Sequence, residues 1–143
     1  MAAVFHTLAG RFGHAFDLRA QEAVACLQGG APLAACAMAG AAAEAILLAL
    51  AINRRGSADS VLNDYRKAGG RKRITDYLLG QAQKEVRQNI EPGLELLNYW
   101  RDESAHGNVT QVAGPMAAAA VDRLYRLATY ADDNWATLTA PQP

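Results

Sequence analysis

Apolar residues recur at helical spacing along almost the whole chain, and no stretch alternates in the manner of a half-buried strand. Phe12, Phe16, Ala20, Ala23 and Leu27 form a first stripe closed by Gly29-Gly30, while Gly10 and Gly13 argue against one unbroken helix from Val4. A second helix follows Pro32 and carries Leu33, Cys36 or Ala37, Gly40, Glu44, Leu47 and Ala51 along one face, closing over 53–56. Its small residues admit a close neighbour, which makes it the expected central helix. A short helix over 59–68 uses Val61, Leu62 and Tyr65 and stops at Gly69-Gly70. The next is read over 73–88 from Ile74, Leu78, Ala82 and Val86. Pro92 suits the first turn of another, with Leu94, Leu97 and Trp100 and a stop at Gly107-Asn108. Pro115 opens the last and most regular helix, through Ala117, Ala120, Leu124, Leu127, Ala131, Trp135 and Leu138, with Asp122 and Arg126 placed to pair four apart.

This pattern predicts an all-α fold, an antiparallel bundle of four to five helices in a single domain over 1–143, with 140–143 a frayed tail. Composition agrees. Apolar residues make up 51% and charged residues 20% of 143, which excludes intrinsic disorder, and 31 alanines favour closely packed helices. The 14 basic and 14 acidic residues cancel, so any contact with a polyanion must come from a local patch. Cys26, Cys36 and three histidines are too few and wrongly spaced for a zinc module or a disulfide scaffold. No metal or other cofactor is expected, and the thiols read as buried and reduced, in a cytoplasmic protein.

The start lacks the basic n-region of a signal peptide. Residues 33–52 are long enough to span a bilayer, and Glu44 is their only charge. An acid at mid-helix costs roughly 2.5–3.5 kcal/mol on insertion scales, and much of the run is Ala, Gly and Cys, so a buried soluble helix is the better reading. No membrane partner is expected.

No phosphate-binding loop, dinucleotide fingerprint or His-Glu-x-x-His occurs. Chemistry concentrates in Tyr99-Trp-Arg-Asp-Glu-Ser-Ala-His-Gly107. Leu94, Leu97, Arg101 and Ser104 fall on one helical face, so Arg101 continues an apolar stripe and needs an anion. Asp102 and His106 are four apart, so on a helix the carboxylate orients or charges the imidazole. His106 also precedes the expected helix end, where the macrodipole favours the imidazolium. An Arg beside a His that exists in both protonation states suits phosphodiester chemistry. On a single helix, however, Arg101 and His106 stand roughly 140° apart. They converge only where the helix ends between them or a second chain completes the site.

This segment resembles the signature of the HEPN superfamily, compact helical bundles in which R-x-x-x-x-H lies in the region leading into the last long helix. Arg101-Asp102 and Ala105-His106-Gly107 carry the likeness, together with Ala39-Gly40-Ala-Ala-Ala-Glu44-Ala-Ile-Leu in the second helix. The order of elements extends it over nearly the whole chain. The resemblance implies a metal-independent endoribonuclease, a homodimer whose two motifs face one cleft. Arg101 would hold the scissile phosphate, and His106 would activate a ribose 2′-hydroxyl or protonate the leaving group, giving a cyclic phosphate. It also implies a role in toxin–antitoxin or anti-phage systems, with an antitoxin or other defence protein as partner. Two positions depart from the pattern. Gly107-Asn108 follows His106 where one subgroup has a modified Tyr, and Asp102 stands where Asn is most often found. Many members of the superfamily are inactive as nucleases, so the resemblance leaves a catalytically inactive dimerisation, adaptor or RNA-binding module as the alternative.

Other candidates have blander readings beside the functional one. Glu44 is either a supporting partner of Arg101 or a carboxylate reaching the bundle end or solvent. Arg54-Arg55 and Arg71-Lys72-Arg73 either steer RNA or are solvated turn charges, the latter favoured. His6 and His14 read as surface residues, and Trp100 and Trp135 as packed rather than base-stacking.

Overall fold

The computed structural model describes residues 1–99 and 112–141. Among these the chain is all-helical, a bundle of nine helices without strands: α1 (Ala2–Thr7), α2 (Ala9–Phe12), α3 (His14–Gln28), α4 (Pro32–Arg55), α5 (Ala58–Arg66), α6 (Gly70–Leu79), α7 (Lys84–Leu94), α8 (Gly114–Asp133) and α9 (Trp135–Thr139). Most of the expected segments are present, three of them divided, while most of the helix expected from Pro92 to Gly107 lies outside the described residues.

The central position of α4 follows from its small side chains. Ala35, Cys36, Ala39, Ala42, Ala43, Ile46 and Leu47 are fully buried, and α3, α5, α6, α7, α8 and α9 all pack against this one helix. It is long and apolar enough to cross a membrane, yet 83% of its most apolar window lies inside the protein. The turn from α3 into α4 is tight, with the Ala31 N–H donating to the Cys26 carbonyl at 2.8 Å. Cys36 is buried as expected, whereas Cys26 is only half-buried and its thiol donates toward Glu22 at 3.8 Å.

The N-terminal helices are held by aromatic rings. Phe5 and Phe12 meet Phe16 edge-on at 5.9 and 5.0 Å, and Phe12 meets Trp135 at 5.9 Å. Arg11 lies 5.3 Å over the Trp135 ring and pairs with Asp132 at 2.9 Å, tying the start of the chain to the end of α8. His6 is exposed, as expected of a surface residue, but its Nδ1 is 2.9 Å from Asp17, and this hydrogen bond holds the Asp17 carboxyl below its usual range.

The single helix expected over 73–88 ends at Leu79, and a turn through Gly80–Gln83 precedes α7. A spacing of four precesses around a helix by about 40° per step, so Ile74, Leu78, Ala82 and Val86 do not share one face. Ile74 and Leu78 serve the core from α6, and a fresh stripe containing Ile90 serves it from α7. Pro92 does not open a helix; it sits in the last turn of α7, which stops two residues later. A ring that removes one N–H and crowds the preceding turn is tolerated there because little helix remains to break. The last helix is interrupted at Asn134, whose Nδ2 and backbone N–H both donate to the Tyr130 carbonyl, at 2.9 and 3.0 Å. A side chain competing for the helix carbonyl ends α8. Pro115 is in the first turn and Asp122 pairs with Arg126 at 2.9 Å, as read from the sequence.

Gly93 sets the spacing between α7 and α8. A Cβ there would fall 2.7 Å from Leu127 Cβ and 2.8 Å from its Cδ2. Gly93→Ala is therefore expected to destabilise the protein by about 1–3 kcal/mol, despite alanine's better helix propensity. Thermal melts of the two proteins check this, and an unchanged or raised melting temperature would show that α7 shifts freely.

Candidate functional site

Arg101, Asp102 and His106 lie outside the described residues, as does Trp100. On either side of them Leu96 and Leu97 are buried, and Tyr99 and Val112 pack against the core. The fourth candidate, Glu44, lies among the described residues.

Glu44 sits midway along α4 because the helix places it on the same face as Leu47 and Ala51, one turn from Ala41. Only 7% of the residue is exposed, so the carboxylate does not reach solvent, and that expectation is corrected. A buried carboxylate needs hydrogen-bond partners, since desolvation otherwise costs several kcal/mol. Tyr65, on the buried face of α5 with Val61, donates its hydroxyl to Glu44 Oε2 at 2.6 Å. Arg19 of α3 brings Nη1 to 3.9 Å from Oε1 and donates to the Ala41 carbonyl at 3.2 Å. Three helices thus converge on one acid.

Neither partner is among the residues the sequence reading singled out for chemistry. Tyr65 carries a signal, because a tyrosine in an apolar stripe must find a partner for its hydroxyl. Arg19 follows Phe16 by three and so borders the buried stripe of α3.

Arg54 and Arg55 are not solvated turn charges. Arg54 Nη1 donates to the Tyr77 and Leu78 carbonyls at 3.0 and 3.1 Å, satisfying the end of α6. Arg55 bonds Asp64 at 2.7 Å, which lowers that carboxyl's pKa, and lies 4.6 Å over the Tyr77 ring. Lys72, by contrast, points outward and pairs with the exposed Asp76 at 2.6 Å. Trp135 packs against Phe12 as expected. Among the described residues no three His, Cys, Asp or Glu side chains are grouped to hold a metal ion.

Compared with known proteins, the chain matches no protein-family model, no curated protein and no solved structure.

Proposed function

We propose that this chain is a metal-independent endoribonuclease of HEPN type, cytoplasmic and homodimeric, with Arg101 and His106 as its catalytic residues and Asp102 and Glu44 supporting them. The observation that carries the reading is Arg101-Asp-Glu-Ser-Ala-His106-Gly107, set ahead of the last long helix of an all-α bundle whose small-residue helix buries an acid. In the proposed reaction the ribose 2′-oxygen attacks the adjacent phosphorus and the bond to the 5′-oxygen breaks. The 2′-hydroxyl proton leaves to a base, the departing 5′-oxygen takes up a proton, and the products are a 2′,3′-cyclic phosphate and a 5′-hydroxyl. His106 moves one of these protons, and Arg101 neutralises charge growing on the phosphoryl oxygens. Pairing two protomers supplies both residues to one cleft, which removes the conflict of roughly 140° on a single helix. A toxin or anti-phage effector, with a partner protein that restrains it, is the setting this chemistry suits.

The reading is tested by incubating the purified protein with mixed RNA in EDTA. Cleavage is expected to persist, to leave cyclic-phosphate ends and to spare DNA strands of the same sequence, with the protein dimeric by light scattering. The alternative is an inactive adaptor or RNA-binding module. Failure of the wild-type dimer to cut any of several RNAs would favour that instead.

A further inference from the structure

The turn from α5 into α6 gathers charge that the rest of the chain balances out. Between Asp64 and Asp76 stand five cations, Arg66, Lys67, Arg71, Lys72 and Arg73, in a protein of formal charge zero. The fold opens a cleft of about 550 Å³ at this turn, walled by Tyr65, Arg66, Lys67, Gly70, Arg71 and Lys72. Arg66, Lys67, Lys72 and Arg73 are all exposed. Lys67 and Lys72 pair with Asp64 and Asp76 at 3.7 and 2.6 Å; Asp64 already holds Arg55 at 2.7 Å and the Lys72–Asp76 pair is exposed, so both lysines readily exchange to another anion.

The arrangement works against the helix it belongs to. The first turn of α6 holds Arg71, Lys72 and Arg73 and no acid, placing like charge at the positive end of the helix dipole. An anion in the cleft relieves both that repulsion and the mutual repulsion of the cations. Among the described residues the lining offers phosphate contacts and no platform for a base, because Tyr65 is buried and its hydroxyl is engaged with Glu44. Several cations side by side, with no base pocket among the described residues, fit successive phosphates of a strand better than a mononucleotide. Tyr65 also makes the cleft contiguous with the buried acid, since one side chain serves both.

We infer that this cleft binds the backbone phosphates of a single-stranded nucleic acid. The identification of that strand as RNA substrate rests on the ribonuclease reading; the phosphate contacts do not. Binding of a short labelled RNA and of the matching DNA to the His106→Ala protein, in EDTA, is measured by fluorescence anisotropy from about 50 to 200 mM salt. Lys67→Glu/Lys72→Glu is compared with Lys84→Glu/Arg126→Glu, an equal charge change on exposed residues elsewhere. Melting curves confirm that both remain folded.

The cleft pair is expected to weaken RNA and DNA binding alike by tenfold or more. It should also flatten the slope of log K against log salt by about 1.4, two contacts at roughly 0.7 each for a single strand. The control pair is expected to change affinity only a few-fold. Equal losses in both pairs, no loss in the cleft pair, or no strand binding at all would each overturn the inference. Saturable binding of ADP that the cleft pair abolishes, without strand binding, would make it a nucleotide pocket instead. The two readings fail separately. RNA cleavage by the wild type with an indifferent cleft pair removes only the cleft, and cleft-dependent binding without cleavage removes only the nuclease.

Discussion

Under the proposed ribonuclease mechanism, His106→Ala is expected to slow RNA cleavage by about 10²–10⁴, because it would remove the group that moves a proton in the displacement. Arg101→Ala is expected to lose roughly 10²–10³, or about 3–4 kcal/mol of transition-state stabilisation, since a guanidinium meets charge that grows only as the phosphorane forms. The two losses should differ in kind. Imidazole chemistry carries a pH dependence near neutrality, so the wild-type rate profile should bend there and the His106→Ala profile should flatten. Arg101→Ala should keep the bend and lose height, because a guanidinium stays charged throughout. Single-turnover cleavage of one RNA across pH, with EDTA present, separates these outcomes. EDTA-sensitive cleavage that survives His106→Ala would sink the mechanism.

The helices were legible where one physical rule dominated. Small residues marked α4 as central, and its burial among the other helices bears this out. The repeats at three and four through Ala117, Leu124 and Leu127 marked α8, because that stripe is one continuous face. The reading failed where two rules competed. Four apolar residues at strict intervals of four looked like one helix across Gly80, although the spacing itself drifts around the axis. Pro92 has two permitted places in a helix for a ring lacking an N–H, and the sequence does not choose between first turn and last. Asn134 looked like any polar residue in a stripe until its amide was seen bonded to the Tyr130 carbonyl. Basic pairs were harder still. Arg54 and Arg55 are spent on helix carbonyls and on Asp64, while Arg66, Lys67 and Lys72 face outward, and nothing in the local sequence separates the two cases. Arg101 and His106 were singled out by residue type and by the resemblance of their surroundings, and they lie outside the described residues. Arg19 and Tyr65 were not singled out, because their relation to Glu44 depends on how α3 and α5 dock on α4.

Glu44→Ala is expected to destabilise the protein by about 2–4 kcal/mol, combining a small cavity in α4 with loss of the acceptor for a buried hydroxyl. For a domain of this size that lowers the melting temperature by roughly 6–12 °C. The Tyr65 bond, at 2.6 Å and to a carboxylate, is the larger contribution. Arg19 is 3.9 Å away with about a third of its side chain exposed, so water compensates it when the acid is removed. Tyr65→Phe should accordingly cost about 1.5–3 kcal/mol, and in the double variant the two losses should fall short of additive by 1 kcal/mol or more. Glu44→Gln then separates stability from function. It keeps the volume and an oxygen to accept the Tyr65 hydrogen bond, so it should melt well above Glu44→Ala. If the carboxylate also orients Arg101, Glu44→Gln should lower kcat for RNA cleavage at least tenfold with KM little changed and the pH profile of His106 intact. Cleavage that tracks melting temperature across all three variants would leave Glu44 as a core residue alone and remove it from the catalytic proposal.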